Sequence, residues 1–144
     1  MKKLLLILIV LFLSSFAKGQ NNSTKTFCDS ISDGSIHFQI VSEVPRYPGG
    51  PKEMDQFIYD NFKLSINASI LKSQIHAIIH FDSKGHIRNA CVFKNYYKVK
   101  TNIGSTPIGI EILRVIWLMP DWTPAKQNDK KISVNFVVPI NLNR

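Results

Sequence analysis

The sequence is poor in the residues that carry out chemistry. Its 10 acidic side chains are scattered over 144 residues, so no carboxylate pair stands out for acid–base work. No serine lies in a G-x-S-x-G turn and none has a base placed beside it. His76 and His80 are four apart, which on a helix is a zinc spacing. On a strand they share a face but stand about 13 Å apart, too far for one metal. A metal site would need His37 or His86 to join them, and the plainer reading is two solvent-side strand histidines. These shortages argue against an enzyme, and no metal or cofactor is expected. Long apolar runs are also missing. The longest, Leu4 to Leu13, is half of the roughly twenty residues a bilayer span requires.

That short run has another use. Lys2 and Lys3 precede it, and Ser14 to Gln20 is small and polar apart from Phe16. Ala17 and Gly19 fall at the −3 and −1 positions of a cleavage site. Residues 1–19 therefore read as a secretory signal peptide, removed on export, leaving no stable membrane span. No cysteine follows the cleavage point, which argues against a lipid anchor. Losing Lys2, Lys3 and Lys18 takes the 18 basic residues to 15 against 10 acidic ones, a net +5. That is too mild for a nucleic-acid footprint, and an exported chain seldom meets nucleic acid.

Cys28 and Cys91 would then lie in an oxidising compartment, where an even count permits a disulfide. Closing a loop of about 64 residues would stabilise the fold by about 4 kcal/mol on the chain-entropy model. Two free, half-buried thiols are the other reading.

Along the chain, 20–43 is a polar arm with one possible short strand, Ser35–Val41, whose Ile36, Phe38 and Ile40 alternate with His37 and Gln39. Pro45, Pro48, Gly49 and Gly50 force an extended and then turning path. Pro51 opens a helix running to Phe62, with Met54, Phe57, Ile58 and Asn61 on one face. Residues 75–94 read as a hairpin around "DSKG", where Gly85 needs a positive φ. Residues 95–108 form a loop. "KNYYKVK" at its start interleaves bases with aromatics, suited to anionic lipid or simply to a solvated strand end. A second helix spans Gly109–Met119, with Ile112, Leu113, Ile116 and Met119 inward, and Pro120 stops it. Glu111 and Arg114 lie outside as a weak ion pair. A last strand follows, Lys131–Val138, where Pro139 ends the pairing.

The order is β-α-β-β-α-β, an α+β fold with two helices on one face of a small, mostly antiparallel sheet. If the last strand–helix–strand unit makes a right-handed crossover spanning one position, the final strand lies beside the first hairpin strand and becomes an edge.

Three stretches are more specific than this outline. "LMPDWTPAK" clamps Trp122 between Pro120 and Pro124, a rigid corner that plugs the core with an indole. With its surroundings, "EILRVIWLMPDWTPAKQNDKKISVNFVVPINL" closely resembles the end of the TonB C-terminal domain in its Bacteroidetes-type version. "VPRYPGG" at 44–50, with Pro45, Tyr47, Pro48, Gly49 and Gly50, is similar to the same family's lead into its first helix. "FDSKGHI", with Gly85, is similar to its hairpin turn. The matches follow in order across residues 44–142, so 44–144 is taken as one domain. Departures are Leu64 and Ser65 for a usual Tyr-Pro, Ser73 for a Gly, and Asn128-Asp129 for an Asn-Gly turn. Trp117 and Leu118 replace usually polar residues. They form a contact patch, unless the 95–108 loop covers them.

The resemblance implies a periplasmic binding module that takes a peptide of a TonB-dependent outer-membrane transporter as an added strand. An unpaired edge is a template for such a peptide. The expected edge runs from Lys131 to Val138, with Ser133, Asn135 and Val137 choosing the register on an open face. With no spanning helix and no Pro-rich spacer, a complete energy transducer is not expected. Another periplasmic peptide, or a second copy in a homodimer, are the alternative partners. Cys91 is placed on the open face, opposite to Val92, so a bond to Cys28 would draw the arm across it.

Overall fold

The structure, a computed structural model, describes residues 26–65, 74–95 and 101–142. The expected signal peptide, Ser73, and residues 96–100 of the basic–aromatic stretch lie outside them. The described chain is a small mixed α+β domain. In order it runs α1 (Phe27–Ser32), α2 (Pro51–Asn61), β1 (Ile75–Phe81), β2 (Ile87–Lys94), β3 (Thr101–Asn102), α3 (Pro107–Trp117), β4 (Ala125–Gln127), β5 (Lys130–Ile132) and β6 (Val134–Ile140). The main sheet has the order β3-β2-β1-β6, with every neighbouring pair antiparallel. β4 and β5 form a separate hairpin.

The helices start where their caps allow. Gly50, at φ 89°, turns the chain into α2, and Pro51 follows at the first helical position, where no N–H is needed. In α3 the Thr106 hydroxyl accepts the Gly109 N–H, so the helix begins at Pro107, two residues before the expected start. Its buried face is Ile112, Val115 and Ile116, with Met119 just beyond the end. Val115 takes the inward place expected of Leu113, which is only partly covered.

β1 is buried on both faces, and that divides the domain into two cores. Ala77, Ile79 and Phe81 meet Met54 and Ile58 of α2 and Ile112, Val115 and Ile116 of α3. Each such side chain contributes about 1.5–3 kcal/mol on burial. On the other face, Ile78, Cys91 and Phe93 pack with Ile31 of α1. Cys28 and Cys91 are disulfide-bonded, which ties α1 to β2.

Several expectations are corrected here. The arm is not featureless: Thr26 and Asp29 form a capping box that starts α1. A third helix therefore covers the sheet face that was expected to be open. His76 is buried rather than solvent-facing, and burial pushes its pKa down. Ser35–Val41 carries a strand pattern but joins no sheet, so the first strand of the expected order is absent among the described residues. Lys131 belongs to β5 and Ser133 lies between strands, so neither is on the edge strand. Pro139 does not end the pairing, which runs on through Pro139↔His76 and Ile140↔Ile75.

Candidate functional site

The three stretches singled out in the sequence meet at Trp122. The indole is 5 % exposed, with its ring centroid 4.9 Å from Phe81 and 5.5 Å from Tyr47, edge-on to the latter. Its backbone N–H donates to Gly85 O at 3.0 Å. Gly85 has φ 90°, and a Cβ there would lie 1.8 Å from Trp122 O, so only glycine fits. On the other side, Thr123 and Arg46 exchange backbone hydrogen bonds at 2.8 and 3.1 Å. Glu43 and Lys126 do the same, and their side chains pair at 3.1 Å. The corner thus locks the 42–47 segment to one side and the hairpin turn to the other. Pro45 and Pro124 are buried beside it, while Pro120 is exposed.

The turn is itself held by Asp82, which accepts from the Lys84 and His86 N–H groups and from Arg88 Nε at 2.8 to 3.1 Å. Partial burial works to raise the Asp82 carboxyl. The Lys84 N–H, Arg88, and the His86 ring and N–H outweigh it and hold the pKa well below the carboxylate range. His86 Nε2 reaches Asp121 at 3.2 Å, joining the turn to the corner.

Next to this knot lies the open edge. β6 is terminal in the sheet, with β1 on one side only. Which backbone groups point outward follows from alternation in an antiparallel ladder. Asn95 donates to Gln74 O and Ile103 to Val92 O. With the register, this aims the even residues of β1 at β2 and the odd ones at β6. Val134, Phe136, Val138 and Ile140 therefore bond to β1. Asn135, Val137 and Pro139 turn their N–H and C=O positions outward, and no described residue pairs with them. Pro139 is tolerated because its missing N–H falls on the outward side.

A groove of about 670 Å³ runs along this edge, between residues 136–139 and the 44–51 segment, floored by Met54 and Trp122. Tyr47 lines it, its hydroxyl pKa raised by burial and by Glu53. The Trp122 indole N–H is buried with no hydrogen-bond partner. The groove is apolar, with Arg46 as its one charged lining residue among those described.

Of the residues expected to form the edge, Asn135 and Val137 are on it, and their side chains already have partners within the chain. His80 Nδ1 donates to Asn135 Oδ1 at 2.8 Å, and Phe27 lies edge-on to His80. Val137 packs against the core under α1. The side chains that flank free space are those facing the groove. Residues 44–50, expected only to enter a helix, form its far wall. Their alternation of prolines with Tyr47 was a signal for a rigid, extended wall.

Trp117 and Leu118 are each 52 % exposed, and Ile110 57 %. The expected weak ion pair is more than that. Arg114 grips Glu111 through two nitrogens at 2.7 and 2.8 Å and also reaches Asn61 O at 2.6 Å. The Lys63 N–H donates to Glu111 Oε1 at 2.7 Å, so the group staples α3 to the end of α2. Among the described residues no His, Cys, Asp or Glu group could hold a metal, and no helix is long and apolar enough to cross a membrane. No family model, curated protein or solved structure matches this chain.

Proposed function

We propose that this chain is an exported, periplasmic, non-catalytic module that binds an extended peptide as an added strand on the outer edge of β6. On this reading the peptide belongs to a TonB-dependent outer-membrane transporter, the partner that the resemblance of residues 44–142 implies. The observation that carries the reading is the pair of outward N–H groups at Asn135 and Val137, lying along an apolar groove. Backbone pairing would supply the affinity, and the groove would select the side chains. A ligand residue opposite Phe136 points to the same sheet face as Phe136, over Met54 and Trp122. Ligands with an apolar residue there gain most.

Capture of outer-membrane proteins tests the reading. The tagged chain, exported by its host, is incubated with detergent-solubilised outer membrane. Recovery of TonB-dependent transporters, lost on adding a TonB-box peptide and lost in Asn135→Pro, is the expected result. A wild-type chain that recovers none of them sinks the transporter assignment.

A further inference from the structure

Between the two cores the chain carries a segment with a strand's sequence pattern that joins no sheet. Ile36 packs on the α1 side and Val41 on the α2–α3 side. Between them Phe38 is 43 % exposed and Ile40 97 %. One such side chain would be ordinary, but with Val44, also half-exposed, these make a run of bare apolar residues, the kind of patch that marks a contact surface. Among the described residues, no backbone N–H or C=O of 37–41 has a hydrogen-bond partner. The segment reads Ile-His-Phe-Gln-Ile-Val, alternating and rich in β-formers.

The chain also carries the complement. β6 offers outward groups at Asn135, Val137 and Pro139, a span of about 13 Å; residues 37–41 extended cover the same length. Neither stretch holds a charged residue. Edge strands normally carry charge, lysine above all, to block pairing with another chain. Here Pro139 is the sole blocking residue, and it leaves two donors open. Phe38 and Ile40, two apart, match the alternation needed to place both side chains on the groove face, opposite Phe136 and Val138.

We infer that a second copy of this chain supplies the strand: residues 37–41 of each copy add to the β6 edge of the other in a reciprocal, two-fold pair. A segment anchored at both ends inside its own molecule stays in place while its exposed face pairs outward. Two short pairings put the dimer in the weak, concentration-dependent class. The inference rests on the same open edge as the transporter reading and gives it a regulator, because the partner copy must leave before a peptide enters.

Sedimentation of the full exported chain over the micromolar-to-millimolar range tests this. Wild type dimerises with concentration. Ile40→Asp, at a bare surface position, and Asn135→Pro, at an outward donor, each weaken dimerisation by about tenfold or more. Mixing the two variants is decisive, since the first keeps a sound edge and the second a sound segment. The mixture regains one of the two pairings and associates more strongly than either variant alone. A wild-type chain that stays monomeric, or a mixture no better than its parts, overturns the inference. So does a monomer in which Ile40→Asp raises affinity for a TonB-box peptide, because the segment then closes its own edge. Peptide uptake by a monomeric wild type leaves the transporter reading standing without this one. A reciprocal dimer that never takes the peptide does the reverse.

Discussion

Trp122 joins the hairpin turn to the Tyr47 and Phe81 rings, and its truncation has a definite expected cost. Trp122→Ala removes the ring shared by Phe81 and Tyr47 and leaves a cavity, which should lower stability by about 3–5 kcal/mol in denaturant unfolding. Gly85→Ala attacks the same point from the backbone side. It combines a left-handed φ with a Cβ driven into Trp122 O, so it should destabilise more than the 1–3 kcal/mol of strain alone. At the α2–α3 staple, hydrogen bonds from Arg114 and from the Lys63 N–H pull the Glu111 pKa from 4.5 down to about 2. The folded state thus holds this carboxylate more readily than the unfolded one. Its stabilisation is complete above about pH 4.5 and is lost as pH falls towards 2. Glu111→Gln should flatten that limb of a stability-against-pH curve and leave the neutral region lower but level.

Among elements, β6 and α1 differ in how far the sequence discloses them. Alternation and spacing place β6 beside β1 at an edge. The direction of each backbone group needs the register, because one residue of slip exchanges inward for outward donors. Pro139 illustrates the gap: proline in a strand reads as a stop until its N–H side is known. Val137→Pro should therefore keep every bond to β1 and lose only part of its side chain's packing under α1, yet block strand addition. Phe136→Pro, which removes a bond to β1, should cost about 3 kcal/mol or more. Unfolding and peptide titration of the two variants separate the outcomes. For α1, Thr26-x-x-Asp29 was a legible cap, but six residues between polar flanks give no helical period. What holds it is tertiary: Ile31 on the sheet and the bond across 63 positions. Replacing both cysteines by serine should lose about 4 kcal/mol and raise amide exchange across 27–32.

For the whole molecule, the fold class was legible because two amphipathic helices and a hairpin have strong periods. The site was half legible. The motifs at 44–50, 81–87 and 118–126 each stand out as local rigid turns, but nothing in their spacing says that they hydrogen-bond to one another. Their meeting turns residues 44–50 into the wall of a groove and leaves one sheet edge open beside it. The misplaced strand at 35–41 has the opposite cause. Its pattern is sound, but Ile36 packs on one core and Val41 on the other, and the segment between them pairs with no strand of its own sheet although the β6 edge is open. Period alone cannot tell a paired strand from an unpaired one.

The most direct test of strand addition is residue-resolved amide exchange of the full chain as its host produces it, followed by NMR, with and without a saturating TonB-box peptide. The Asn135 and Val137 amides, which face outward, should exchange fast alone and become protected in the complex. The Phe136 and Val138 amides, already bonded to β1, should change little. A bound peptide that leaves Asn135 and Val137 unprotected, or protects a different surface, would contradict the assignment of β6 as the binding edge.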